Sequence, residues 1–118
     1  MLSLENYPQL DTTILFRLRN DLENEFPRFI AIFNDHSQQL LISVQESLKN
    51  NDLKQAKIAL HSFKGMSASI GAVRLSQLCK HAEMLIDRAE LIEKNDLITT
   101  LEYTLQELNH IIKQALED

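Results

Sequence analysis

The chain has 118 residues and a formal net charge of −5, with 44 % hydrophobic and 25 % charged residues. That length suits one domain with a single core, and the balance is that of an ordinary globular chain rather than a membrane protein or a disordered one. The acidic balance argues against a dedicated nucleic-acid binder, no apolar run approaches the ~18 residues a membrane helix needs, and a lone Cys79 excludes an internal disulfide and suits a reducing cytoplasm.

The opening "MLSLENYPQL" carries Glu5 and no basic cluster, so it reads as neither a secretory signal nor a transit peptide. Strands need turns, and two glycines with two prolines supply too few of them, so the expected class is all-α. Asp11 is placed to cap a short helix from Thr12 to about Glu25, with Ile14, Leu15, Leu18 and Leu22 on one side. Pro27 fits the first turn of a second helix, where its missing N–H does no harm. That helix runs to about Asn50 with Phe26, Ile30, Phe33, Leu40, Val44 and Leu48 inward and Ser37 as a polar interruption. "NND" at 50–52 reads as turn and cap.

The third helix is predicted from about Asp52 to Ser69, with Leu53, Ala56, Leu60, Phe63, Ser67 and Ile70 inward and Gly71 closing it. The fourth, about Val73 to Glu93, places Leu75, Leu78, Ala82, Leu85, Ala89 and Ile92 inward. "KND" at 94–96 reads as the last turn. The fifth runs to about Leu116 with Leu97, Leu101, Leu105, Leu108, Ile112 and Ala115 inward. Mixed spacings of three and four residues give near-parallel packing, and short connections make neighbours antiparallel. The predicted architecture is an up-down-up-down four-helix bundle with an additional short N-terminal helix across one end.

One stretch, "LHSFKGMSASIGA" at 60–72, carries a glycine, Gly65, inside a helix. A mid-helix glycine costs about 1 kcal/mol relative to alanine. On a helical wheel at about 100° per residue, His61 falls roughly 130° from the centre of the apolar sector, so it faces solvent. Gly65 lies one turn further along the same line, Lys57 one turn back, and Ala68 two turns on. Ile58 is an outward apolar neighbour, and Lys64 lies on the flank between His61 and the core. Gly65 and Ala68 leave low relief beside the ring, Ile58 offers apolar surface to a partner, and Lys64 attracts an anion. From Leu53 to Ala82 there is no acidic residue, while Lys54, Lys57, Lys64, Arg74 and Lys80 contribute +5. A single exposed histidine is most often a solvated surface residue. The conjunction points to a face that handles anions or docks a partner.

"ALHSFKGMSASIGAVRLSQLCKHAE" resembles the histidine-phosphotransfer (HPt) domains of bacterial phosphorelays. The resemblance rests on His61, Lys64, Gly65, Gly71, Ala72, Leu75, Leu78, Cys79 and Glu83, and extends from about Asp11 to the C-terminus. Met66 departs from it, standing where family members often have a small residue. The resemblance implies a single domain over residues 1–118, a stand-alone, monomeric, cytoplasmic carrier. It implies that His61, at Nε2, accepts a phosphoryl group from the receiver domain of a hybrid sensor kinase and passes it to the receiver of a response regulator. Lys64 then offsets phosphoryl charge and Gly65 gives access, while Lys57, Ile58 and Ala68 belong to the docking face. Mg²⁺ is expected from the receiver, because no carboxylate lies near His61 in sequence, and the chain is expected to have no cofactor of its own. Two glycines cannot build a nucleotide loop, so no autokinase activity is expected. The alternative is a non-phosphorylated helical adaptor that docks a signalling protein through the same face.

His36, His81 and His110 form no pair at metal-ligand spacing and read as surface or rim residues. Cys79 beside Leu78 reads as packing. Glu83, Asp87, Glu90, Glu93, Asp96, Glu102 and Glu107 read as solvated outer faces.

Overall fold

Helix boundaries follow the caps. In the computed structural model, which describes residues 3–89 and 93–117, the Asp11 carboxylate accepts from the Thr13 N–H at 3.0 Å and opens α1 (Thr12–Leu22). This helix stops three residues earlier than the sequence suggests. Glu23 takes φ +48°, which no α-helix continues through, and a 3-10 turn at Glu23–Glu25 leads into α2 (Phe26–Lys49). Pro27 sits in the first turn of α2 as expected. Asn51, at φ +57°, makes the next turn, and the Asp52 side chain accepts from the Gln55 N–H at 3.1 Å to start α3 (Leu53–Ile70).

Gly71 ends α3 at φ +87°. The Ala72 N–H reaches Ser67 O at 2.9 Å and the Gly71 N–H reaches Ala68 O at 3.1 Å, which satisfies the last carbonyls of the helix. α4 (Val73–Asp87) follows at once, and α5 (Lys94–Glu117) completes the chain.

α4 is shorter than predicted. It closes at Asp87, where the Arg88 N–H bonds Met84 O and the Ala89 N–H bonds Ile86 O, both at 3.0 Å. Ala89 then takes φ +52° and is exposed rather than inward. No glycine or proline marks this break, so the apolar period ran on past it in the sequence. Ile92 and Glu90 lie outside the described residues. Lys94 begins α5 rather than a turn, and its Nζ reaches Asn51 Oδ1 at 3.1 Å. Leu53 is a further correction: as the first residue of α3 it projects past the end of the core and is 38 % exposed. Leu41, Ala59 and Thr104 are buried although the sequence reading passed over them.

The four long helices close a ring, with α3 packed on α2 and α4, and α5 packed on α2 and α4. The bundle measures 43 × 26 × 19 Å, and the described residues contain no strand. Leu60, Phe63, Ile70, Leu75, Leu101 and Leu108 are fully enclosed, and each such side chain contributes ~1.5–3 kcal/mol of transfer free energy. α1 and the segment before it strap the α3–α4 turn. The Asp11 N–H donates to Gly71 O at 2.8 Å, the Arg74 N–H to Pro8 O at 3.0 Å, and Arg74 Nε to Tyr7 O at 2.9 Å. This strap and the Gly71 turn fix how α3 and α4 lie side by side.

Candidate functional site

The outer face of α3 carries the residues singled out by the wheel. The His61 side chain is 70 % exposed. A Cβ built on Gly65 meets nothing within 4 Å, so the glycine serves no packing inside the bundle. Ala68 is exposed, and Ile58 is 51 % exposed beside the ring. A shallow depression is lined by Lys54, Lys57, Ile58, His61, Ser62 and Glu83. On the other flank of the ridge, His36, Gln39, Leu40 and Ser43 of α2 meet Ser62 and Met66 of α3 across a second groove. Met66 is half-buried against the core there.

α4 supplies what the sequence reading missed. His61 Nδ1 lies 3.2 Å from Glu83 Oε2, and Lys64 Nζ lies 2.9 Å from Glu83 Oε1. The Glu83 side chain is only 11 % exposed. It is therefore not part of a solvated outer face: no carboxylate lies near His61 in sequence, but the fold brings in one from 22 residues away. Lys57 is likewise engaged, paired with Asp87 one turn further along α4. That hydrogen bond, and then the opposite charge of Asp87, raise the Lys57 ammonium above its ordinary value. The acid-free window in the sequence is thus not an acid-free face. Two acids just beyond it fold back onto two of its lysines.

The signal was present in the spacing. The α3–α4 hairpin turns about Ala72, with His61 eleven residues before it and Glu83 eleven after. Lys57 and Asp87 stand fifteen residues on either side. Two rungs one helical turn apart follow from an antiparallel hairpin with a tight Gly71 turn. Ser76 Oγ donating to Lys64 O at 3.2 Å holds this register near the site.

The chemistry of the rung is directional. A carboxylate paired with a lysine is ionised and can only accept, so the proton of the His61 contact sits on Nδ1. Nε2 is then the nitrogen with the free lone pair. Cys79, one turn before Glu83, is fully buried; burial, with the Glu83 charge adding to it, pushes its thiol up to about 12. It stays a protonated packing group. Of the other histidines, His36 and His110 are exposed and His81 is half-buried. No three His, Cys, Asp or Glu side chains converge among the described residues.

Residues 28–116 match the family model described as the Hpt domain. The chain belongs to the Hpt domain family. The function of this family is histidine phosphotransfer in phosphorelays. Among solved structures, the Hpt chain is similar to histidine-containing phosphotransfer protein B (HptB) from Pseudomonas aeruginosa, at 33 % identity and a TM-score of 0.85 over 91 % of this chain and 93 % of that one. It shares its fold with the histidine-containing phosphotransfer protein MtHPt2 from Medicago truncatula, at 23 % identity and a TM-score of 0.78 over 92 % of this chain and 78 % of that one. Yeast Ypd1p shows the same fold at 23 % identity and a TM-score of 0.64, over 80 % of this chain and 60 % of that one. No curated protein matches the chain. Among the described residues, no helix of the Hpt chain is long and apolar enough to cross a membrane.

Proposed function

We propose that this Hpt chain is a monomeric cytoplasmic phosphoryl carrier. In this reading His61 takes the group from the aspartyl phosphate of one receiver domain, on a hybrid sensor kinase, and gives it to the aspartate of another, on a response regulator. The carrying observation is the His61 ring itself. It stands in solvent with Nδ1 tied to Glu83 and with the space beside it opened by Gly65. A neutral imidazole with one nitrogen blocked and the other bare is a directed nucleophile near pH 7. The 33 % identity to a protein named for histidine phosphotransfer supports the same role.

Transfer to Nε2 needs nucleophile, phosphorus and leaving oxygen in line, so the phosphoryl group must approach along the Nε2 lone pair, in the plane of the ring. Gly65 leaves that approach free of side chain, and Ala68 keeps the surface low beyond it. Lys64, 29 % exposed, lies close enough on the same face to share its charge between Glu83 and an arriving phosphoryl group. Ile58 and Lys57 flank the approach as docking residues. Mg²⁺, which neutralises charge on the transferring group, belongs in this reading to the receiver's acidic pocket. The chain's nearby carboxylates, Glu83 and Asp87, are already committed to His61, Lys64 and Lys57.

The test is phosphotransfer from a receiver domain carrying radiolabelled aspartyl phosphate. Acid-labile label is expected on the wild-type chain and none on His61→Gln. Equal labelling of the variant, or none of the wild type by any receiver of its source, would sink the proposal.

A further inference from the structure

We propose that Asp87 is a positioning residue for partner docking: by holding the Lys57 ammonium against α4, it turns the depression beside His61 into a mostly apolar seat for one apolar side chain of the receiver. This rests on the reading of His61 as the acceptor that a receiver must reach.

The depression lies between α3 and α4. Five of the six residues that line it, Lys54, Lys57, His61, Ser62 and Glu83, are polar or charged, and Ile58 is the sixth, yet its surface is mostly carbon. The direction of the polar tips accounts for the difference. Lys57 Nζ is paired with Asp87 Oδ1. Glu83 Oε1 faces Lys64, and Oε2 faces His61 Nδ1. Turned this way, the lysine and the glutamate leave their methylene stems to the depression, beside the half-exposed Ile58. His61 itself lines it, so the seat is continuous with the surface a receiver must cover.

Asp87 keeps Lys57 in this pose. Lys57 lies one helical turn before His61, a spacing that puts side chains about 5–6 Å apart at Cβ. Its flexible four-carbon stem reaches either across to α4 or out toward a partner. The Asp87 hydrogen bond, and then the Asp87 charge, raise the Lys57 ammonium above its ordinary value, as befits a cation held by its partner. The two side chains stay 43 % and 53 % exposed, and a pair this open adds little to stability. What the pair changes is where the charge stands. Lys64 is matched by Glu83, and the exposed Lys54 sits one turn before Ile58. A receiver brings an acidic pocket to His61. With Lys57 held, that pocket meets an apolar contact beside the ring, and capture rests on fit. With Lys57 released, it meets a free ammonium there, and capture gains an attraction that salt screens.

The experiment measures transfer from one phosphorylated receiver at subsaturating concentration, with sodium chloride raised from ~0.01 to ~1 M. The acceptors are wild type, Asp87→Asn, Lys57→Met, Lys57→Ala, the double variant Asp87→Asn/Lys57→Met, and His61→Gln. Neither Lys57 nor Asp87 belongs to the core cluster, so these chains keep the helical fold. Asp87→Asn is expected to accept the group about threefold faster than wild type at the low end, and to match it at the high end, where the Debye length is about 3 Å. That gain is expected to vanish in the double variant, because it needs the freed ammonium. Lys57→Met keeps the wall that the lysine stem forms, and Lys57→Ala removes it. Transfer to the alanine variant is therefore expected to be about threefold slower than to the methionine variant at every salt concentration. A wild-type rate and salt dependence in Asp87→Asn, or a gain that persists in the double variant, overturns the role of Asp87. Equal rates in Lys57→Met and Lys57→Ala overturn the apolar seat. Either result leaves the carrier reading standing. A wild type that takes no label, or a His61→Gln that takes as much, overturns the carrier reading and this proposal with it.

Discussion

Gly65 is where residue-scale argument is sharpest, because stability and function pull in opposite directions there. An alanine at this position meets no neighbour within 4 Å, and the residue lies within α3. Gly65→Ala is therefore expected to stabilise the fold by about 1 kcal/mol, read as a higher urea midpoint with an unchanged slope. The same methyl, and far more a Gly65→Glu side chain, stands in the approach to Nε2. Phosphotransfer is expected to fall modestly in the first variant and steeply in the second. An unchanged transfer rate in Gly65→Glu would remove the clearance argument. The exposure of His61, Gly65, Ala68 and Ile58 was legible from the wheel, because each depends only on its angle about one helix axis. Glu83 was not legible in that way. Its role depends on the relative rotation and register of two helices, and a residue taken one helix at a time shows neither.

At the scale of the element, the α3–α4 turn governs that register. Gly71 has φ +87°, and an added Cβ would lie 2.8 Å from Asp11 O and 3.1 Å from Ile14 Cβ. The left-handed backbone costs an L-residue about 1–2 kcal/mol, and the contact with a backbone oxygen cannot be relieved by a rotamer change. Gly71→Ala is expected to lower stability by about 2 kcal/mol or more, measured by urea unfolding. A loss below about 0.5 kcal/mol would show that the strap over the turn yields easily. Caps explain why most boundaries could be read in advance: Asp11, Asp52, Pro27 and Gly71 each act through a local backbone requirement. The end of α4 lacked such a marker. Ala89 at φ +52° is an unfavoured residue in a turn, so the continuing apolar period was the stronger signal in the sequence and pointed the wrong way.

Across the whole molecule, the structure changes the balance of forces expected at a partner interface. The sequence shows a chain of net charge −5 with a basic window around His61, which suggests electrostatic steering toward an acidic receiver pocket. In the fold, Lys57 and Lys64 are matched by Asp87 and Glu83, so these four groups sum to zero. Pairs this close present little field beyond a Debye length of about 10 Å at 0.1 M salt. The half-exposed Ile58 beside the ring has no such cancellation. Finishing its burial against a partner is worth on the order of 1 kcal/mol, which is about fivefold in affinity. Transfer from a receiver at low, subsaturating concentration is therefore expected to drop about fivefold in Ile58→Ala. The same rate is expected to change little as sodium chloride is raised. Helix content and urea midpoint should stay close to wild type, since Ile58 lies outside the core cluster. A steep fall with salt together with an unaltered rate in Ile58→Ala would mean that Lys54 and more distant charges, not the apolar contact, bring the partners together.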